Sequence, residues 1–437
     1  MSAICTSLAH GFRLTAVAAG LVCVQQGAMA AAPFLTDKPY DLTVSVGGTY
    51  VPTNDTITGS TSSALIGLST VTDLFAKSTN GGLSQVNANY VDNVSASVIR
   101  FGYRGLPIVL TTAASSTAVT LQIPGLNFSQ TFGVQGTRDA NVEDIKTFLK
   151  NSGGDILNRL QQLLVQKSPV DPIAGNPSSM QSRMVSDDFD RNFTQFASNI
   201  KDAGPADSGT VNNLMGIGMS YGNYTQAGFN SSVVTLPLSY TFRPDIDPRR
   251  QLTIYAPITV TEVAGAKSYA ANFGLSYRFP MNDDWALTPA LGYGISGSID
   301  LGSAAAMMAA SLTSQYTMRM SGYDLAIGNM IGLYQTNKFS AGDYSFDPKI
   351  NNTVYRNGVM ASFPTNLMGR KLAFEVSFVN TIFTGTELYS NQSNEIGVTL
   401  GTNKGANSAR SYFRAGLTYL VADKDIQGLR LNLGYWF

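Results

Sequence analysis

The chain has 437 residues, with 29 basic against 29 acidic side chains and only 13% charged overall, a balance that argues against nucleic acid as a partner. Its one histidine, His10, and its two cysteines, Cys5 and Cys23, all fall near the amino terminus. Glycine is abundant at 42, tyrosine and phenylalanine number 20 and 22, and no internal apolar run reaches the roughly 20 residues of a spanning helix. That composition suits a β-structured membrane protein.

His10 and Arg13 precede an apolar run from Leu14 to Val24 that closes on Ala28-Met29-Ala30. A positive start, a short greasy middle and a small-x-small end predict a secretory signal over residues 1–30. The run is too short to span a bilayer, and Val22 is too large for a lipid-anchoring signal at Cys23. Cleavage would remove every imidazole and thiol. Disulfides, His or Cys metal sites and Ser-His or Cys-His nucleophile pairs are then excluded. The expectation is no catalytic site, no metal, no cofactor, and no enzyme.

Residues 31–177 read as a small soluble α+β domain. Residues 41–52 look like a strand, 53–63 are a mobile Ser/Thr/Gly stretch, and 72–94 show no clear period. Four short β-branched segments follow at 96–103, 106–112, 118–124 and 126–132, separated by Gly105, Ser115-Ser116 and Gly125. The period then turns helical. Asn141 is placed to cap a helix carrying Val142, Ile145, Phe148 and Leu149, with Asp144 at the capping-box position. A second helix carries Ile156, Leu157, Leu160, Leu163 and Leu164, and both stripes read as core. A turn-rich connector, VDPIAGNP at 170–177, leads to a third helix over about 180–201. That helix falls in a linker region, 178–212, and Asp187, Asp188 and Asp190 read first as a solvated face.

From 213 onward the chain is a string of alternating segments divided by turn chemistry. They span 214–225, 232–243, 251–261, 268–279, 285–296, 304–320, 323–334, 354–363, 371–384, 395–401, 411–421 and 426–437. Most reach the ~9–11 residues that a tilted membrane strand needs. In the last, Leu429, Leu431, Leu433, Tyr435 and Phe437 fall on one face and Arg430, Asn432, Gly434 and Trp436 on the other. The fold expected is mainly β: a 12-stranded antiparallel transmembrane β-barrel over 213–437, in the cell outer membrane, with lipid against its apolar face.

An even strand count with a periplasmic carboxyl terminus sends the turns near 226–231, 262–267, 297–303, 335–353, 385–394 and 422–425 outward. Those at 244–250, 280–284, 321–322, 364–370 and 402–410 then face the periplasm, with Trp285 and Trp436 at that rim. Parity assigns Arg278, Arg319, Asp324, Arg356, Glu375, Arg414 and Arg430 to the interior. A charge on the lipid side at mid-bilayer would cost ~2–4 kcal/mol. Three roles are open to these groups: ion pairs across the lumen, a lining that favours anions, or a cradle for an inserted segment.

The ending Arg430, Asn432, Tyr435, Phe437 resembles the C-terminal signal by which the insertion machinery recognises Gram-negative outer-membrane β-barrels, with Asn432 where that signal has glycine. The layout over 180–437, a helix followed by twelve strands, resembles the translocator barrel of autotransporters. The resemblance implies that the helix threads the pore as a plug, bringing Asp187, Asp188 and Asp190 to the lumen arginines. Asn212-Asn213 is similar to the Asn-Asn cleavage site of some members, but it sits at the start of the first strand and not within a helix. Two functions follow. One is an autotransporter-like barrel that displays or anchors its small domain. The other is a porin for small solutes with a periplasmic plug or accessory domain.

Overall fold

The structure, a computed structural model, describes residues 34–151, 154–194, 213–244, 246–341, 344–403 and 412–437. The signal segment, Asn212 and residues 195–201 of the expected linker helix lie outside the described residues.

The amino-terminal strands are β1 (Tyr40–Val51), β2 (Thr56–Leu68), β3 (Ser97–Tyr103), β4 (Leu106–Thr112), β5 (Val119–Ile123) and β6 (Phe128–Phe132). They form an antiparallel sheet in the order β2-β1-β3-β4-β5-β6. Alternation drives one face inward. Leu42, Val44 and Ile99 pack there with Leu74 and Leu83 from α1 (Val71–Lys77) and α2 (Asn80–Val86). Ile145, Leu160 and Leu164 join from α3 (Arg138–Asn151) and α4 (Gly154–Lys167). Fully burying each such side chain is worth about 1.5–3 kcal/mol. On the opposite side Arg100 forms ion pairs with Asp41 and Asp55, and the Tyr50 hydroxyl donates to Asp55.

Three local expectations are corrected. Most of the Ser/Thr/Gly stretch expected to be mobile is β2, an edge strand held by its ladder to β1. The aperiodic 72–94 stretch holds α1 and α2, whose first amides at Asp73 and Gly82 donate to the Thr70 and Thr79 hydroxyls. The third correction concerns Asn141, which lies inside α3 and is fully buried. Its amide donates to the carbonyls of Thr117, Gln135 and Thr137, tying the preceding loop to the helix.

The barrel strands are β7 (Leu214–Gln226), β8 (Phe229–Leu236 continued by Leu238–Phe242), β9 (Gln251–Tyr255 continued by Ile258–Val263), β10 (Ala266–Pro280), β11 (Trp285–Ser298) and β12 (Ser303–Arg319). They continue as β13 (Asp324–Asn337), β14 (Asn351–Leu367), β15 (Arg370–Gly385), β16 (Gln392–Thr402), β17 (Tyr412–Ala422) and β18 (Ile426–Trp436). Each pairs antiparallel with its neighbour, and β18 closes on β7 from Gln427↔Thr225 to Trp436↔Gly216. Twelve strands thus make a ring with no free edge. Pro237 and Pro257 interrupt β8 and β9 because neither can donate to the ladder. Their carbonyls still accept, from the Gly218 amide at 3.2 Å and the Asn272 amide at 3.0 Å, so the register runs through both breaks.

Outward positions carry a continuous apolar belt: Leu236, Tyr240, Phe273, Leu275, Phe374, Leu417, Tyr419, Leu429, Leu431 and Leu433 all stand exposed. A water-soluble fold would hide such a surface; on a closed strand ring it is the lipid face. The barrel has two ends. The near end is where β7 begins and β18 stops. The far end holds the β7–β8, β9–β10, β11–β12, β13–β14, β15–β16 and β17–β18 connections. A short hairpin, Phe339–Ala341 with Tyr344–Phe346, projects from the β13–β14 connection.

Candidate functional site: a helix in the barrel lumen

The amino-terminal region rests on the far-end connections. Phe34 packs edge-on against Phe229 at 4.4 Å, the Val71 amide donates to the Asp300 carbonyl at 2.7 Å, and the Tyr103 hydroxyl donates to the Gly302 carbonyl at 3.4 Å. Asn158 accepts from the Asp347 amide at 3.0 Å.

The connector after α4 is buried almost throughout, with Val170, Asp171, Ile173, Ala174 and Asn176 all at 2% exposure or less. Asp171 organises it. Its carboxylate accepts from the Ile173 amide at 2.9 Å and the Ala174 amide at 3.3 Å, and its carbonyl accepts from the Asn176 side chain at 2.7 Å. Arg104 pairs with Asp171 at 2.8 Å, both side chains 1% exposed. Burial raises the Asp171 pKa above the usual carboxylate value, with Arg104 and the two amides opposing it. Gly175 takes φ +92, and a Cβ there would stand 2.5 Å from the Val165 carbonyl, so the turn requires glycine. The Tyr389 and Ser390 amides donate to the Val165 and Gly175 carbonyls, fastening the connector to the β15–β16 loop.

From this turn α5 (Met180–Phe189) enters the lumen and continues as a π turn, Asp190–Thr194. Met180, Met184, Val185, Phe189 and Phe193 cluster with inward Met307, Met330, Val354 and Met360. Glycines in the wall make room for the rings. A Cβ on Gly328 would come within 2.5 Å of Phe193, and one on Gly358 within 2.9 Å of Phe189.

Polar contacts fasten the helix all round. Gln181 donates to Asn352 at 2.9 Å, and Arg183 to the Thr235 hydroxyl at 3.3 Å. The Ser186 hydroxyl accepts from Arg430 at 2.7 Å and Arg356 at 3.3 Å. Asp188, 3% exposed, accepts from the Tyr255 hydroxyl at 2.9 Å, the Tyr334 hydroxyl at 2.9 Å and Arg191 at 2.6 Å. Asp190 lies 3.1 Å from Arg430 and 3.7 Å from Arg356, and Glu395 bridges the same two arginines at 2.9 and 2.8 Å. Asp187 faces Arg183 at 3.8 Å. The solvated-face reading of these aspartates is therefore corrected: Asp188 is buried, and Asp190 pairs with the wall arginines Arg356 and Arg430, whereas Asp187 and Asp188 pair with Arg183 and Arg191 of their own segment.

Of the charges assigned to the interior, Arg356 and Arg430 meet α5, and Arg414 pairs with Glu375 across the wall. Arg278 lies buried toward the near end, donating to the Arg249 carbonyl at 3.3 Å. Arg319 and Asp324 face each other in register at the near-end rim, where the Arg319 side chain is 52% exposed and 3.8 Å from Asp284. Tyr435 and Phe437 stack outward at 5.6 Å. Trp436 turns inward, with its ring beside Gly434 and Gly216. Glu395, Tyr255 and Tyr334 were not singled out from the sequence, although the alternation that places Ile396 and Ile254 outward also turns Glu395 and Tyr255 inward.

No family model and no curated relative matches the chain. Among solved structures, the β-domain of the Bordetella autotransporter BrkA aligns with 12% identity and a TM-score of 0.41, covering 52% of this chain and 98% of that one. The translocator domain of the autotransporter NalP from Neisseria meningitidis aligns with 11% identity and a TM-score of 0.41, covering 59% and 96%. An outer-membrane channel from Pseudomonas putida F1 aligns with 12% identity and a TM-score of 0.36, covering 54% and 99%. The closed ladder and apolar belt, by themselves, make this an integral outer-membrane β-barrel.

Proposed function

We propose that the chain is an autotransporter-like display barrel, in which the amino-terminal sheet and helices stand on the cell surface and the 178–212 linker threads the pore. One observation carries the reading. The segment entering the lumen comes from the region resting on the far-end connections, while β7 starts at the near end. Outer-membrane barrels keep short turns in the periplasm and longer loops outside. Connections of both kinds occur at each end, and the longest, 338–350, is at the far end, against 243–250 and 403–411 at the near end. On this reading lipid covers the belt, Arg430, Tyr435 and Phe437 address the insertion machinery, and the protein has no enzymatic role.

A second reading, a channel for small solutes gated by α5, draws on Arg356, Arg414 and Arg430, which belong to the wall and would line the pore without the helix. Protease added to intact cells separates the two. Digestion of residues 34–170 supports display, and digestion only after the outer membrane is permeabilised contradicts it. Planar-bilayer conductance before and after deleting residues 180–205 tests the plug. Conductance should rise, and an unchanged value would count against a helix in the pore.

A further inference from the structure

We propose that the lumen also contains a binding site for a small uncharged polyhydroxylated solute, about the size of one sugar ring, between α5 and the wall formed by β7, β17 and β18. The site depends on α5 lying in the lumen and not on which side of the membrane the amino-terminal region occupies. A cavity of about 170 Å³ lies there, equal to about five or six waters at liquid density. Inward Gly216, Gly218, Gly416 and Gly434 line its wall. Trp436 closes its near end. The indole occupies the space that a Cβ on Gly434 or Gly216 would enter, at 2.5 and 2.6 Å, and stacks on Tyr412 at 4.9 Å.

Five buried polar atoms on residues of the lining have no hydrogen-bond partner within the protein: Arg183 Nε, Arg191 Nε, Arg430 Nε, Asp187 Oδ2 and Ser220 Oγ. Arg183 and Ser220 are only 4% and 7% exposed. Buried groups left unmet are expensive, so their convergence on one cavity points to a ligand that meets them. Its chemistry follows from what is already paired. Arg183, Arg191, Arg414 and Arg430 each face a carboxylate, on Asp187, Asp188, Glu375 and Asp190 respectively. That leaves no uncompensated charge to recruit an ion. The remaining groups are three N–H donors, an acceptor and a hydroxyl that does both, a mixed set that hydroxyl groups, which accept as well as donate, satisfy. The flat indole offers an apolar face to the C–H side of a ring. An apolar solute would leave all five polar atoms unmet. A bound polyol joins α5 to the wall and so favours the state with the helix in the lumen.

The test uses the full chain in detergent with Trp285→Phe, so that Trp436 is the one tryptophan of the two remaining. Titration with D-glucose should give a saturable emission change, and sodium phosphate or glycine should not. Ser220→Val, with the heat-modifiable gel mobility of a folded barrel, should weaken glucose binding about 2–10-fold. Independently of any variant, D-glucose should raise the unfolding temperature of the unaltered protein. Three results overturn the proposal. One is no saturable response to D-glucose, N-acetylglucosamine or sorbitol, together with an unmoved unfolding temperature. The second is an equal response to phosphate or glycine. The third is a folded Ser220→Val protein that binds glucose as tightly as its parent.

Discussion

Replacing Tyr334 with phenylalanine removes one hydroxyl from the groups around Asp188 and leaves the ring in place. That hydroxyl donates to Asp188 Oδ2 at 2.9 Å from a fully buried side chain, and Tyr255 donates to Oδ1 at the same distance. A hydrogen bond to a charged group contributes about 1.5–3 kcal/mol. When the helix leaves the lumen, water can satisfy the hydroxyl, so the lower end of that range applies. About 1.5 kcal/mol is a tenfold shift toward the undocked state. Arg191 stays on Asp188 at 2.6 Å, so the carboxylate is not left bare. Tyr255→Phe should act alike, and the double variant should fall short of the product of the two, because both hydroxyls share one carboxylate. Planar bilayers read this directly as the frequency of channel openings. The expected result is about a tenfold rise for each single variant. Unchanged opening frequency in both, with barrels that migrate as folded, would refute the idea that Asp188 holds the helix in the pore.

Gly328→Val places a Cβ 2.5 Å from the Phe193 ring; it should expel the helix end and raise conductance while the barrel still forms, which gel mobility and bilayer recording check together. Leu431→Arg puts a charge at the middle of β18 on the lipid face and should cost about 2–4 kcal/mol, measured as a lower midpoint in urea unfolding from lipid vesicles. Arg104→Ala breaks a pair whose members are both 1% exposed, a loss of about 3–5 kcal/mol when one partner goes. Burial holds the Asp171 pKa above 3.8. A raised carboxyl contributes stability fully below the unfolded value and loses it as pH rises through the folded one. Removing Arg104 lifts that pKa further, so calorimetry should show a larger drop in unfolding temperature at pH 7 than at pH 4, and an equal drop at both would refute this.

The barrel was legible because lipid outside and polar lumen inside impose a two-residue period that composition displays openly. Leu429, Leu431 and Leu433 against Arg430 and Asn432 needed only counting. The breaks at Pro237 and Pro257 were not expected, since the apolar pattern runs straight through them. The edge strand β2 was hidden by its serines and threonines, which a strand paired on one side tolerates as well as a loop does. At the site, the lumen arginines followed from parity. The burial of α5 was implied only by the resemblance to translocator barrels, because a helix rich in aspartate and arginine has the same sequence whether its partners are waters or the inside of a barrel. Tyr255 and Tyr334 share the inward parity of their strands, opposite Ile254 and Leu333, but nothing in the sequence tells which carboxylate their hydroxyls meet. The connector at 170–177 showed turn chemistry, but its burial and the Arg104–Asp171 pair join residues 67 positions apart and needed the fold.

The most direct measurement exploits a chain whose only cysteines are Cys5 and Cys23. Single cysteines are introduced at Val134, 92% exposed in the amino-terminal region, and at Met368, 94% exposed in a near-end turn. Whole cells are then treated with a membrane-impermeant maleimide. A surface region joined through the pore to a periplasmic strand start requires Val134→Cys to label in intact cells, and Met368→Cys to label only once the outer membrane is opened. Labelling of Met368→Cys in intact cells, with Val134→Cys protected, would contradict it.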